Sequence, residues 1–311
     1  MACYHPLEAF RSLELNANGK RTITFKKNEG HPFLPLKIAC GQCIGCRLDR
    51  SRQWAIRCMH ESSLYRHNAF VTLTYNDRNL PWDGSLKKKD FQNFMKALRR
   101  GYTRDSTSAI RYYHCGEYGD RTRRPHYHAI IFNIDFDDKE IWKKNTRTGE
   151  TYYTSEKLNR IWGKGYCVIG DVSFQSAAYV ARYILKKING HKASEHYTKI
   201  IDHNTGECVD LQPEYTTMSR RPGIGRGWYE KYKGQLQPDD FVVWKGKKHK
   251  IPKYYDHLYE LENSKEFEIV KERRIKHASK DSIRQNNTPD RLSTREYIQK
   301  KKLERLIRPE L

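Results

Sequence analysis

Two histidines in residues 124–132, His126 and His128, have the type and spacing of metal ligands. Residues 129–132 are apolar and β-prone and predict a strand, in which successive side chains alternate between two faces. The two imidazoles would therefore share the accessible face, while Tyr127 and every second residue after it point into a core. Two neutral imidazoles so placed can hold a divalent cation once a third ligand approaches. The alternative is a pair of ordinary surface or hydrogen-bonded histidines.

Glu117 is the expected third ligand. It lies nine residues before His126, on a strand that should pair with the histidine strand across a basic loop at residues 119–124. A carboxylate with two imidazoles gives an open, three-ligand site suited to Mg²⁺ or Mn²⁺ rather than a closed zinc site. His114 is a rival ligand, but it is three residues from Glu117 and so on the opposite face of the strand. In the other reading, Glu117 is a surface carboxylate paired with an arginine of the loop.

Tyr179 and Tyr183 are the candidate nucleophiles. In the helical pattern of residues 177–188, the apolar residues form one stripe, while both tyrosines and Lys186 gather on the opposite side, with Lys187 next in sequence. Residues four apart on a helix are neighbours, so the two hydroxyls can reach the same point. A cation that polarises a phosphodiester would let a phenol attack it, leaving a 5′-phosphotyrosine and a free 3′-OH. Two hydrogen-bonded structural tyrosines are the alternative.

Three cysteines near the start of the chain, Cys40, Cys43 and Cys46, have the spacing of a metal knuckle, with glycines that permit tight turns. A closed zinc site needs a fourth ligand, and the chain offers three candidates: Cys3, His5 and Cys58. Reduced buried thiols and redox chemistry are the alternatives to structural zinc.

The charge of the chain points to a polyanionic partner. Its 59 Lys and Arg against 37 Asp and Glu give a net charge of +22, and nucleic acid is the expected partner. Residues 245–311 carry 19 basic and 11 acidic groups, net +8, which leaves +14 on the first 244 residues. The alternative is a merely soluble basic protein. With neither a membrane-spanning apolar run nor a signal peptide, the sequence predicts a cytoplasmic protein without disulfides.

The elements that must position these residues follow a regular order. Strands are expected at residues 68–75, 109–118, 124–132 and 165–172. Helices are expected at residues 86–100, 155–162 and 173–190. The order β-α-β-β-α-β-α predicts an α+β fold with a ferredoxin-like antiparallel sheet and helices on one face.

The same pattern divides the chain into three parts. Residues 1–65 form a Cys-rich helical segment, residues 66–190 the core, and residues 191–311 a basic, loop-rich and helical extension. Within the extension, the loop at residues 220–228 contacts DNA or packs against the core. The basic helices from residue 245 onward form either a solvated face or a non-specific grip on phosphates.

At this point the sequence resembles a known family, the HUH endonucleases that initiate rolling-circle replication. Residues 70–75 are similar to their first motif, and residues 125–128 to their metal motif, although Tyr127 stands where an aliphatic residue is more common. Tyr179 and Tyr183 with Lys186 and Lys187 are similar to their nucleophile motif. The two-tyrosine form, with residues 40–46 upstream and residues 222–225 downstream, resembles the replication initiators of gokushovirus-type microviruses.

This resemblance implies the HUH fold and a supercoiled double-stranded replicative form, nicked at one origin through a covalent tyrosine intermediate. It implies Mg²⁺ or Mn²⁺ at His126, His128 and Glu117, and host helicase and polymerase as partners in a bacterial cytoplasm. Two other functions stay open. One is a plasmid relaxase, and the other is a zinc-stabilised DNA-binding regulator without catalysis.

Overall fold

The computed structural model describes residues 3–17, 19, 21–102, 109–146, 149–183, 192–202, 205–236 and 239–304. The chain divides into two compact units. One unit consists of Met1–Arg50 and Asn263–Leu311, and the other of Ser51–Glu262. This division differs from the three consecutive segments expected from the sequence, because the two ends of the chain belong to one unit.

The strands and helices of the described residues are numbered in chain order. The strands are β1 (Leu7–Leu15), β2 (Arg21–Thr24), β3 (Gly30–Ile38), β4 (Asn68–Tyr75), β5 (Arg111–Tyr118), β6 (Pro125–Phe132), β7 (Glu140–Lys144), β8 (Thr151–Thr154), β9 (Gly165–Gly170), β10 (Thr198–Asp202), β11 (Glu207–Asp210), β12 (Tyr215–Met218), β13 (Phe241–Trp244) and β14 (Lys247–Lys250). The helices are α1 (Ile44–Ser62), α2 (Lys88–Tyr102), α3 (Glu156–Trp162), α4 (Phe174–Tyr183), α5 (Lys192–Tyr197), α6 (Arg226–Leu236), α7 (Lys253–Glu262), α8 (Ser264–Ala278), α9 (Asp281–Gln285) and α10 (Pro289–Glu304). Within the described ranges, each helix lacks either the length or the apolar character needed to cross a membrane.

The unit at the two chain ends contains a three-stranded antiparallel sheet of order β2-β1-β3. The sequence predicted helix here, and α1 confirms it for the residues after Cys43. Residues 7–38 instead form strands and connecting turns. The signal was present, because Leu7, Ala9, Leu13 and Leu15 recur at alternate positions of β1.

The larger unit is built on a seven-stranded antiparallel sheet of order β12-β5-β6-β4-β9-β8-β7. Its central strands β5, β6, β4 and β9, with α2, α3 and α4, confirm the predicted β-α-β-β-α-β-α order. Three further strands extend this set at both edges. The hairpin β7–β8 lies at one edge and β12 at the other, and the sequence predicted neither.

Helices cover both faces of this sheet, so the prediction of helices on one face is wrong. On one face α2 and α3 pack against one set of strand residues, among them Val71, Leu73, Ala129 and Ile131. On the other face α1 and α4 pack against the alternate set, among them Phe70, Cys115, Ile130 and Phe132. The physical reason is that both sets of alternating positions are apolar, and each must be removed from water.

The loop around residues 222–225 is a packing element. The buried carboxylate of Glu61 in α1 accepts hydrogen bonds from Arg111 Nε (2.5 Å) and from the amide of Gly225 (2.6 Å). Arg111 Nη2 also donates to the carbonyl oxygen of Pro222 at 2.7 Å, and Ile224 is fully buried in the core. Of the two readings that the sequence left open for this loop, the structure therefore favours packing.

Candidate functional site

The pairing of β5 with β6 sets the positions of the candidate ligands. Glu117 lies directly opposite His126, and Cys115 lies opposite His128. Because side chains alternate along a strand, Glu117, His126 and His128 share the face of the sheet covered by α1 and α4. His114 lies on the other face, where its ring stacks on Phe91 with the ring centroids 3.4 Å apart.

His128 is held between two oxygen atoms. Its Nε2 lies 3.0 Å from Glu117 Oε1, and its Nδ1 lies 2.9 Å from Thr72 Oγ1. All three side chains are buried, with His128 2% and Glu117 4% exposed. Glu117 is therefore a buried carboxylate paired with an imidazole, and the surface carboxylate of the alternative reading is not what the structure contains. An ionised carboxylate only accepts, so the neutral His128 ring carries its proton on Nε2 and accepts the Thr72 hydroxyl at Nδ1.

His126 is oriented by the turn between β5 and β6. Its Nδ1 lies 2.8 Å from the carbonyl oxygen of Arg124, which also accepts the amide of Gly119 at 2.9 Å. A carbonyl only accepts, so Nδ1 carries the proton and the lone pair of Nε2 is the one able to coordinate a cation. Burial, aided by the nearby His128, lowers the pKa of His126 and keeps the imidazole neutral.

The start of α4 is fixed by reciprocal hydrogen bonds. The Ser176 amide donates to Ser173 Oγ at 3.1 Å, and the Ser173 amide donates to Ser176 Oγ at 2.8 Å. Ser51 of α1 donates to the carbonyl oxygen of Ala178 at 2.9 Å. The helix start predicted at Ser173 is thus present, and a capped terminus with a link to α1 sets the rotation of α4.

Tyr179 projects from α4 onto the histidine face. Its ring is edge-on to His128, with centroids 5.3 Å apart, and to Phe70, with centroids 6.3 Å apart. Tyr183 is the last residue of α4, one turn further along the helix. Lys186 and Lys187, the remaining residues of the predicted nucleophile motif, lie outside the described residues.

The histidine face has the residue types of a metal site without a closed set of ligand atoms. Glu117 and His128 are in contact, and His126 follows on the same face. In the described part of the chain, the potential ligands that come mutually close form one group, the cysteine cluster of Cys3, Cys40, Cys43 and Cys46. The sulfur atoms of this cluster lie within 4.8 Å of one another, and a metal ion such as zinc can bind there.

The structure decides between the candidates for the fourth cysteine-site ligand. Cys3 joins the three thiols of the knuckle. His5 instead pairs with Glu296 at 2.8 Å, and Cys58 is buried in the core of the larger unit. Burial alone raises the pKa of the Cys43 thiol, but hydrogen bonds from the Tyr4 and Cys46 amides and from neighbouring thiols lower it to about 6.

Three contributors to the site escaped the sequence analysis: Thr72, Gly119 and the carbonyl group of Arg124. Thr72 is opposite His128 in the pairing of β4 with β6, which only the register of the sheet reveals. A Cβ atom at position 119 would lie 3.1 Å from His126 Cε1, so glycine leaves room for the imidazole. The local signal for Gly119 was its place beside the basic loop, but its contact depends on the orientation of the ring.

The chain is similar to replication-associated proteins of phages. Residues 68–188 match the family model described as that of the replication-associated protein ORF2. Replication-associated protein VP4 of Bdellovibrio phage phiMH2K is 35% identical over 299 residues, covering 94% of this chain and 87% of that protein. Replication-associated protein ORF2 of Spiroplasma virus 4 is 33% identical over 328 residues, covering 99% and 97%. Replication-associated protein ORF4 of Chlamydia phage 1 is 25% identical over 264 residues, covering 81% and 61%. No solved structure matches the chain.

Proposed function

Because the chain belongs to the family of phage replication-associated proteins, we propose that it initiates rolling-circle replication by nicking one DNA strand with a tyrosine. The observation that carries this proposal is the edge-on contact of Tyr179 with His128, on the sheet face that also holds Glu117 and His126. A nucleophile and three metal-ligand types then meet on one surface of one sheet.

The arrangement of the sheet supports an HUH endonuclease fold of the ferredoxin-like class. Strands β9, β4, β6 and β5 lie side by side in that order, all antiparallel, with the histidines on an inner strand. This is the order that a β-α-β-β-α-β chain adopts when each helical crossover skips one strand. The inner strand is paired on both sides, which fixes the histidines rigidly.

The donor set fits Mg²⁺ or Mn²⁺. Glu117 supplies a carboxylate oxygen, and His126 supplies Nε2, since its Nδ1 is engaged by the Arg124 carbonyl oxygen. The Thr72 hydroxyl both donates and accepts, so it can serve either tautomer of His128 and release Nε2 for coordination. When bound, such a cation polarises a phosphodiester and stabilises negative charge on its oxygens.

In the proposed reaction, the hydroxyl oxygen of Tyr179 or Tyr183 attacks the scissile phosphorus. The phosphorus–O3′ bond breaks, the DNA keeps a free 3′-OH, and its 5′ phosphate is joined to the tyrosine. The phenol proton leaves and the 3′ oxygen gains one, so the step balances without water as a reactant. Lys186 and Lys187 complete the motif as cations that neutralise phosphate charge.

Two tyrosines suit a reaction that must cut twice. The phosphotyrosine bond retains the energy of the broken diester, so a 3′-OH can attack it and restore a phosphodiester. One tyrosine can therefore hold the first 5′ end while the other makes the second cut. Joining then releases a circular single strand. We place this activity in the bacterial host cytoplasm, with host helicase and polymerase supplying unwinding and synthesis.

The test is a nicking assay on supercoiled replicative-form DNA that carries the origin. Protein, DNA and Mn²⁺ are incubated, the protein is digested, and the nicked strand is mapped at both ends. The expected product has one cut with an extendable 3′-OH and a 5′ end blocked by a peptide. A 5′ end that a kinase labels after phosphatase treatment would overturn the tyrosine mechanism. Binding without any cut would favour a DNA-binding regulator.

A further inference from the structure

The proposed reaction makes no use of the cysteine cluster, which belongs to the unit formed by the two chain ends. We propose that the four thiols of this cluster form a closed structural zinc site that ties the N-terminal residues to the start of α1. This site would be separate in role from the open cation site of the histidine face, because four protein ligands leave no coordination position for substrate.

The sulfur–sulfur distances fit a tetrahedral zinc ion. With zinc–sulfur bonds of about 2.3 Å, the sulfur atoms at the corners of a tetrahedron lie about 3.8 Å apart. The distance from Cys3 Sγ is 3.6 Å to Cys40 Sγ and 3.9 Å to Cys43 Sγ, and Cys40 Sγ lies 4.0 Å from Cys46 Sγ. A disulfide needs sulfur atoms at about 2.05 Å and would use only two of the four.

Backbone amides surround the sulfur atoms. The amide of Tyr4 donates to Cys43 Sγ, that of Cys40 to Cys3 Sγ, and that of Cys43 to Cys40 Sγ, each at 3.3 Å. Such donors stabilise thiolates, which are the form that binds zinc, far more than neutral thiols. Cys43 immediately precedes α1 and Cys46 lies in its first turn, where the helix dipole also favours negative charge.

The position of the cluster explains what zinc would stabilise. The pairing of β1 with β3 begins at Leu7 and Ile38, so the cluster closes the end of this sheet directly beyond its outermost pair. Among the described residues from 3 to 38, Cys3 and Ala9 are the apolar side chains that are buried, while Phe33 is 84% exposed. A sheet with so little apolar burial needs another source of stability, and metal binding can supply it.

The contacts that follow Cys3 extend this effect to the other end of the chain. His5 pairs with Glu296 of α10 at 2.8 Å, within the same unit. Holding Cys3 on the metal therefore holds His5 where it meets α10. Tetrahedral sulfur sites accept zinc or iron. We assign zinc because the proposed strand transfer involves no change in oxidation state, and the unit offers the site a structural role.

The experiment measures metal in the full-length chain, produced without a metal-affinity tag in zinc-containing medium. We expect about one zinc ion per chain. Cys46→Ser should lower the zinc content at least tenfold, whereas Cys208→Ser, which changes an exposed thiol outside the cluster, should leave it unchanged. The metal readout is independent of nicking, so a failure of the proposed function would not affect it.

A second measurement covers the case in which Cys46→Ser does not fold. A mercurial reagent is titrated into the wild-type protein while zinc release is followed with a colorimetric chelator. Release should be complete after about four thiols have reacted, and hydrogen exchange in residues 7–38 should rise at the same time. The proposal is overturned by iron as the bound metal, by folded protein that takes up no zinc under reducing conditions, or by Cys46→Ser that retains it.

Discussion

Tyr179 stands edge-on to His128, with ring centroids 5.3 Å apart and ring planes at 80° to each other. Tyr179 comes from α4 and His128 from β6, so tertiary packing brings them together. The contact joins the proposed nucleophile to the imidazole that Thr72 and Glu117 hold in place. Changing each partner separately should therefore separate chemistry from DNA binding.

Replacing the two tyrosines by phenylalanine tests the nucleophile. Each single change keeps an aromatic ring and removes the attacking oxygen, so Tyr179→Phe and Tyr183→Phe should each still cut a short origin oligonucleotide but release no unit-length circles. The double variant should bind DNA and form no covalent adduct, as followed by denaturing gel electrophoresis. Tyr166→Phe is the matched control, since Tyr166 is 66% exposed on β9. A protein-linked 5′ end from the double variant would contradict the assignment.

Removing either imidazole tests the cation site. His126→Ala and His128→Ala should reduce nicking to background while the salt dependence of DNA binding stays unchanged, because phosphate neutralisation and metal chemistry are separate contributions. Binding is measured by fluorescence anisotropy across a salt series. The control is His67→Ala, whose side chain is half-exposed and pairs with Asp135. Wild-type nicking that persists in a strong chelator would contradict the metal dependence itself.

The hydroxyl of Thr72 should tune the cation site without contacting DNA. Thr72→Val keeps the shape of the side chain but removes the partner of His128 Nδ1. Losing such a supporting hydrogen bond typically weakens metal affinity by about 10-fold to 100-fold. The Mn²⁺ concentration for half-maximal nicking should rise accordingly, and Thr72→Ser should restore it. A valine variant with the wild-type Mn²⁺ dependence would assign Thr72 to packing alone.

Buried histidines should make the larger unit less stable in acid. His60 is 4% exposed, stacks on Trp228 at 3.4 Å and meets the Tyr255 hydroxyl at 3.0 Å, and burial lowers its pKa to about 3. In the unfolded chain its pKa is about 6.5, so between these values the unfolded state binds the extra proton and stability falls as pH falls. His114, also buried with a lowered pKa, acts in the same direction.

The histidine contribution is measured by urea unfolding at pH 7 and pH 5. Wild type should lose about 2 kcal/mol more than His60→Phe over this interval, because phenylalanine keeps the stacking and does not titrate. His277→Phe, in α8 of the other unit, serves as the control for adding an aromatic ring. Equal pH dependence in wild type and His60→Phe would show that His60 is protonated in the folded protein.

Local alternation was enough to predict the histidine face. The two-residue period of β6 put His126 and His128 on one side, and the spacing to Glu117 correctly excluded His114. The helical period likewise put Tyr179 opposite the apolar stripe. These features depend on residues within about one strand or helix, where period and face are fixed by backbone geometry.

Long-range pairing accounts for what the sequence did not reveal. Thr72 reaches His128 only through the register of β4 against β6. The thiol of Cys3 joins Cys40 across 37 residues, and β12 pairs with β5 across about 100. Such partners carry no local pattern, because either side of the contact is compatible with several others. The second helical layer was missed for a related reason, since an apolar strand does not show what covers it.

The pairing of β12 with β5 matters for anyone who wishes to excise the nicking domain as a tool. A fragment ending near residue 190, where the family match ends, would remove the strand at Tyr215–Met218 and leave the outer edge of β5 with unpaired amides and carbonyls. Exposed strand edges template association between copies. The same cut would take away the Gly225 amide and leave a donor missing at buried Glu61. The smallest well-behaved module is therefore expected to extend through Glu262.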